Sequence, residues 1–530
     1  MNPTIRWLGC TLLCGVACSA LVAHGAMAQD ATLVQADDPY FVQGQETLQR
    51  ILALQPNTNQ AKNVILFVAD GMSVATVTAG RIFEGQQRGA DGESNQLSFE
   101  KFPYAAFSKT YAHDAQVSDS APTAVAMVTG IKTRNDIIGL NSSVAVDDCA
   151  AAQAAHVTTL LEMAEAADMS TGAVSTARLT HATPAANYAH VPNRDWEADS
   201  DIPEQARADC PDIARQLIEV PFGDGLEVAM GGGRDRFLPE SAADPEDEGE
   251  KGKRADGRDL TQEWLQRYGN GGAYVWNMED FKALNPADID HVLGLFERSH
   301  MEYEADREKD AAGEPSLAEM TDKAIDILAK NPNGYFLMVE GGRVDHAHHA
   351  SNAHRALADM VAFADAVQAA VDKVDLDETL IVVTADHSHT LTIAGYPKRG
   401  NPILGLVRDV DDELILGTDG KPYTTLSYAN GPGGWSTSPA DATEDNVEAD
   451  ASAAGMSDAS RPDPTDVDTT DLDYIQQATV PLESETHAGD DVPIFAIGPW
   501  AHLFQGVVEQ HYIFHVMDHA SKISERASSN

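Results

Sequence analysis

The sequence predicts an α/β protein with a large, mostly parallel central sheet and helices on both faces. Two observations predict it. Three short apolar runs each end in an acid: residues 63–69 (NVILFVA) before Asp70-Gly71-Met72, 335–339 before Glu340-Gly341-Gly342, and 380–385 (LIVVTA) before Asp386-His387-Ser388-His389. Uninterrupted apolar runs of this length are the pattern of strands buried on both sides of a parallel sheet. Helical stretches alternate with them, at 320–329 before the second run and 355–371 between the second and third, as in strand–helix–strand units. One acid after a strand is ordinary, because loops are wet. Three at the same carboxyl edge, where open parallel sheets bind ligands, point to a site.

The chain opens with Arg6, an apolar run at 7–22 and Ala26-Met27-Ala28, the pattern of an export signal (1–28) cleaved before Gln29. A membrane anchor is disfavoured because the run is short and ends in small residues, and no lipobox precedes Cys10, Cys14 or Cys18. No later run is long enough to span a bilayer, and the tail SKISERASSN carries no lipid-anchor signal. The expected product is periplasmic or secreted and makes no membrane contact. Cys149 and Cys210 remain in the mature chain; an oxidising compartment should join them, two buried thiols being the alternative.

The formal net charge of -47 excludes nucleic acid and anionic membranes as partners. It also repels anionic substrates unless the site itself is strongly positive, as bound divalent metals would make it. A salt-adapted (halophilic) surface and an ordinary acidic secreted protein both fit this charge. Length alone suggests about three domains. Yet the acid-tipped strands and the candidate ligands run from Asp70 to His487, so one large domain with insertions is expected over 29–530.

In chain order, 40–55 reads as an exposed helix, an arm onto a partner subunit, and the polar, Gly-rich 84–98 as a loop. In Asp119-Ser120-Ala121-Pro122-Thr123-Ala124, Ser120 stands at the amino end of a helix, where free N–H groups favour a phosphate-like anion. Taken alone, that position reads first as an N-cap. A helix is expected at 158–167 and a strand at 172–177, leading into Thr180-His181-Ala182-Thr183-Pro184. Arg194 offers a planar fork for an oxyanion, or, taken alone, a surface salt bridge. The charged stretch 240–259 reads as loop. If Asp345 begins a helix, His349 lies four residues on, on the same face, able to share one ion. Residues 438–473, rich in Asp, Ala, Ser and Pro, read as an exposed insertion within an acidic segment at about 397–480. Order is expected to resume at Thr486-His487-Ala488-Gly489 and a strand at 492–497.

The stretches DSAPTA, HATPAANYAH, EGGRVDHAHH, TADHSH and THAGDD, in this order, resemble the alkaline phosphatase family over nearly all of the mature chain. The likeness is to the animal and marine-bacterial type, because His181 and His346 stand where the enteric bacterial type has Asp and Lys. The resemblance implies a three-layer sandwich with a crown-like insertion, a homodimer, two zinc ions, a magnesium ion and a phosphoserine intermediate formed from small phosphate monoesters. It implies that Asp345, His349 and His487 hold the first zinc, and that Asp386, His387 and Asp70 hold the second beside Ser120. Asp70, Thr183 and Glu340 would take magnesium, Arg194 the phosphate oxygens, and His181 and His346 supporting places. A calcium site would draw on Glu246, the Phe296 carbonyl, Glu297 and Glu314, and Cys149 and Cys210 fall where relatives have a disulfide. Two alternatives are weighed against this reading. A phosphodiesterase or phosphonate hydrolase of the same superfamily usually has Thr or a modified residue as nucleophile and lacks the arginine clamp. A phosphate- or metal-scavenging protein would bind without turnover.

Overall fold

The computed structural model describes residues 33–434 and 461–529. The expected export signal, 1–28, and residues 435–460 of the expected acidic insertion lie outside them. Fifteen strands are found among the described residues: β1 (Asn63–Ala69), β2 (Tyr104–Lys109), β3 (Ser170–Arg178), β4 (Val228–Gly232), β5 (Gly272–Val275), β6 (His291–Leu295), β7 (Tyr335–Gly341), β8 (Thr379–Thr384), β9 (Ser388–His389), β10 (Leu391–Ile393), β11 (Leu426–Gly431), β12 (Ala478–Pro481), β13 (His487–Ala488), β14 (Val492–Ile497) and β15 (Val507–Glu509). Ten form one sheet in the order β15-β2-β14-β8-β1-β7-β3-β4-β6-β5. Strand β14 runs against both neighbours, and every other pairing in this sheet is parallel.

The two-residue period of β1 sorts its side chains into two cores. Val64, Leu66 and Val68 join one, with the helices Ser120–Thr129, Leu160–Ala166 and Tyr512–Ser521. Ile65, Phe67 and Ala69 join the other, with the helices Leu317–Leu328 and Ala353–Lys373. Both faces of the sheet are therefore covered, which is why these strands are apolar throughout. The three acid-tipped strands are immediate neighbours, in the order β8-β1-β7. Their parallel register, with Val68 opposite both Glu340 and Thr384, brings Asp70, Glu340 and Asp386 to one edge.

Two boundaries differ from the sequence reading. Strand β7 continues through Glu340 to Gly341, which stays in register with Ala69. The helix Val74–Gln87 runs through the start of the 84–98 segment. Glycine there is a packing residue rather than a breaker: a Cβ on Gly80 would meet Met360 at 2.9 Å, and one on Gly85 would meet Gly92 at 2.7 Å. The expected amino-terminal helix spans Pro39–Leu52, with none of its residues buried, and belongs to a separate unit, 1–54. Within 397–480, β11 and β12 complete a three-stranded sheet with β10, and Ile403, Leu404 and Tyr428 pack with Phe83 and Leu357.

Cys149 and Cys210 form a disulfide, with Cα atoms 5.9 Å apart. It spans 61 residues, and loop entropy at that length corresponds to about 4 kcal/mol. Replacing both cysteines by serine is expected to lower the unfolding free energy by about that amount in a denaturant titration. A loss below about 1 kcal/mol would mean that non-covalent packing alone holds the loop.

Candidate active site

Local sequence sets each side chain at the edge of the sheet. Gly71 turns the chain after β1 with φ +71°, and a Cβ there would strike the His389 ring at 2.3 Å. Its N–H donates to Asp386 Oδ1 at 3.0 Å, so the end of one strand orients the acid of the next. The helix Arg343–His349 begins two residues earlier than expected but keeps Asp345 and His349 one turn apart, with Asp345 Oδ2 and His349 Nε2 at 3.4 Å. Strands β9 and β13 pair antiparallel, setting His487 opposite His389. The tripeptide Ser118-Asp119-Ser120, at the start of the helix Ser120–Thr129, divides three tasks. The Ser118 carbonyl accepts from His487 Nδ1 at 2.8 Å, the Asp119 carboxylate caps Ala121 N and accepts from Arg194 Nη1 at 3.1 Å, and Ser120 Oγ lies 3.1 Å from His387 Nε2.

The first cluster is Asp345, His349 and His487. His349 Nδ1 donates to the Glu485 carbonyl and His487 Nδ1 to that of Ser118. With the ring proton on Nδ1 in both, each Nε2 carries a bare lone pair. These two nitrogens nevertheless face each other at 3.1 Å, and His487 Nε2 lies 3.4 Å from Asp345 Oδ1. In their neutral form the two rings turn these nitrogens, with the Asp345 carboxylate, toward one point, the donor set of a cation site.

The second cluster is Asp70, Asp386 and His387, with His387 Nε2 3.2 Å from Asp386 Oδ2 and 3.4 Å from Asp70 Oδ1. Both oxygens of Asp70 and Oδ2 of Asp386 are buried without a hydrogen-bond partner. In the third cluster Asp70 recurs with Glu340 and His181, and Thr183 Oγ1 and Glu340 Oε1 are likewise buried and unsatisfied. Unpaired buried carboxylate oxygens are costly, and here they gather in two neighbouring clusters whose donors suit bound cations.

Electrostatics follow the same logic. Burial, with Asp386, Asp345 and Glu340 adding repulsion, holds Asp70 well above the usual carboxylate range. Burial also raises Asp386. It pushes Glu340 up to about 7, against the hydrogen bond from Ser175. Asp345 is the exception: burial opposes its charge, but the imidazoles of His349 and His389 hold it well below its ordinary value. His181 is lowered by burial and then by Arg194, whose Nη2 donates to its Nε2 at 2.9 Å. His346 sits beside it, with ring centroids 5.5 Å apart and Arg343 Nη1 3.0 Å from its Nδ1.

The structure thus brings together Ser120, Arg194, Asp70, Thr183, Glu340, Asp345, His349, Asp386, His387, His487, His181 and His346. The residues expected to bind calcium lie in a separate cluster, where Glu246 and Glu297 converge with Asp310, a residue the sequence reading passed over. The Phe296 carbonyl accepts from Arg234 Nη1 at 3.1 Å, and Glu314 Oε1 is buried without a hydrogen bond. Burial raises Glu246 to about 7 and Glu297 to about 8.

Sequence reasoning also missed His389 and Asp119. His389 was visible as the third residue of Asp386-His387-Ser388-His389, but its partners Asp345 and Glu485 are remote in sequence. Despite burial, those two carboxylates raise it to about 10. Asp119 could be read as an N-cap, but its bond to Arg194 spans 75 residues.

A sequence model of the alkaline phosphatase family matches residues 61–523. The alkaline phosphatase of Gadus morhua is 43% identical over 488 residues, covering 91% of this chain and 96% of that protein. The tissue-nonspecific alkaline phosphatase of Gallus gallus is 44% identical over 489 residues, covering 91% and 88%. Among solved structures, the alkaline phosphatase of Thermus thermophilus superposes with a TM-score of 0.61 at 22% identity over 90% of this chain and 97% of that one. That of the Antarctic bacterium TAB5 gives 0.57 at 23% identity over 88% and 99%. With the shared fold and the edge-of-sheet cluster of carboxylates and imidazoles beside a helix-end serine, these likenesses establish that the chain belongs to the alkaline phosphatase family.

Proposed function

We propose that this enzyme hydrolyses phosphate monoesters through a phosphoserine on Ser120, with two zinc ions and one magnesium ion bound beside it. The supporting observation is the convergence of bare imidazole nitrogens and unpaired carboxylate oxygens next to one buried hydroxyl at a helix amino end. Asp345, His349 and His487 would hold the first zinc, and Asp70, Asp386 and His387 the second. Asp70, Thr183 and Glu340 offer the all-oxygen set that suits magnesium, flanked by His181 and His346. When bound, these cations would lower the pKa of the serine hydroxyl and of water and neutralise charge on the phosphoryl group.

In the first half-reaction the Ser120 hydroxyl releases its proton to solvent and Oγ attacks phosphorus. The Oγ–P bond forms, the bond to the leaving oxygen breaks, and the departing alkoxide takes a proton from solvent. In the second, a water oxygen attacks the same phosphorus, the Oγ–P bond breaks, and the serine regains its proton as inorganic phosphate leaves. Arg194, fixed through Asp119 and His181, presents a permanent positive charge to the equatorial oxygens. That is the main electrostatic task in a metaphosphate-like transition state, and the positive end of the helix Ser120–Thr129 adds to it.

Glu246, Glu297 and Asp310 would bind calcium, with the Phe296 carbonyl and Glu314 close by. The disulfide and the signal-like residues 1–28 support export to the periplasm or beyond. No helix among the described residues is long and apolar enough to cross a membrane. A homodimer would cover the hollow at the β2-β14-β15 edge, lined by Val74, Phe107, Phe495 and Val507, of which Val74, Phe107 and Val507 are exposed.

Ser120→Ala is expected to abolish trapping of a phosphoenzyme and cut turnover at least about 10³-fold, while zinc content by elemental analysis stays normal. Undiminished turnover would remove Ser120 from the chemistry. Arg194→Ala should weaken inhibition by inorganic phosphate by about 10-fold or more and leave measurable turnover; unchanged inhibition would reassign the arginine. EDTA should remove p-nitrophenyl phosphate hydrolysis and lower the melting temperature, with both restored by zinc plus magnesium. Bis-p-nitrophenyl phosphate should be the poorer substrate throughout, and a preference for that diester would overturn the monoesterase reading.

A further inference from the structure

We infer that Glu485 is the positioning residue that fixes two of the three ligands of the first zinc site, His349 and Asp345, an inference that rests on the metal assignment above. Its backbone reaches the first of these and its side chain, through His389, the second. The Glu485 N–H donates to the His349 carbonyl at 2.9 Å, and its own carbonyl accepts from His349 Nδ1. The first bond docks the segment against the end of the helix Arg343–His349, and the second sets the tautomer that turns His349 Nε2 toward the cluster. On the side chain, Oε2 accepts from His389 Nδ1 at 2.5 Å, and His389 Nε2 bonds Asp345 Oδ1. The orientation of Asp345 is therefore set through one intervening ring. The other oxygen, Oε1, takes the Thr390 N–H at 2.7 Å and the Thr390 hydroxyl, so the carboxylate is braced on both sides. The third ligand, His487, follows two residues later on β13, whose partner strand β9 ends at His389.

Both Glu485 and His389 are almost fully buried, at 1% exposure each. A lone buried ion pair is a poor source of stability, since desolvation offsets most of the attraction. Here the pair does something an apolar pair of equal volume could not: it hands orientation from a backbone-anchored carboxylate to a metal-binding one. Outer partners of metal ligands commonly govern affinity by 10–100-fold.

The test is metal binding to the whole protein, stripped with a chelator and titrated with zinc and separately with Co²⁺, whose visible bands report ligand geometry. Wild type should take up two tightly held zinc ions. Glu485→Gln, near in shape but unable to accept on both arms, should lose about 10–100-fold in affinity at one site, shift part of the Co²⁺ spectrum, and regain turnover in excess zinc. His389→Gln provides a second variant with the same expected loss, and the double variant should be no worse than the poorer single one. The exposed neighbour Glu483→Gln should bind as wild type does. Variants with a lowered melting temperature but two wild-type affinities and an unchanged Co²⁺ spectrum would reduce Glu485 to a packing role and overturn the inference. Failure of wild type itself to bind zinc would instead overturn the underlying metal assignment.

Discussion

The rest of this structure depends on the mutual repulsion of four carboxylates, Asp70, Glu340, Asp345 and Asp386, buried together at the ends of adjacent strands and the helix that follows. A fold gains nothing from such crowding by itself. Burial and like charge raise three of the four above their ordinary range, and several of their oxygens have no hydrogen-bond partner. The arrangement makes sense as a receptacle for positive charge, delivered by cations and by Arg194. A chain carrying a formal charge of -47 needs such a local reversal of sign to admit a phosphate.

Much of this was legible in the sequence, because the sheet converts local pattern into position. An apolar run followed by an acid specifies both a buried strand and the edge at which its acid emerges. Three of them specify convergence, provided the strands are neighbours, and β8-β1-β7 are. Asp345 and His349 were legible through helical periodicity alone, and the two-residue offset of the helix start left their spacing intact. Family likeness supplied the roles of Thr183, Arg194 and His487, which no local pattern distinguishes from ordinary polar residues.

What escaped the sequence depends on contacts between remote segments. Asp119 reads locally as a cap, and only folding brings Arg194 to it. Glu485 sits in an acidic stretch where one glutamate looks like the next, and nothing in its neighbours marks it as buried. Asp310 was missed for the same reason, the residues around it being charged and irregular. The 84–98 segment failed differently: glycine was read as a breaker, but in the helix Val74–Gln87 it permits close approach of Met360 and Gly92.

The covalent loop between Cys149 and Cys210 encloses β3, His181, Thr183 and Arg194, whereas every proposed zinc ligand lies outside it. The pocket is therefore assembled from two topologically distinct stretches. One brings the arginine proposed to grip the phosphoryl oxygens and is cinched by sulfur at its borders; the other brings the imidazoles proposed to bind zinc and is held by sheet pairing and side-chain contacts. Reduction of that bond would slacken the grip on the anion while leaving the zinc-binding scaffold with all of its own tethers.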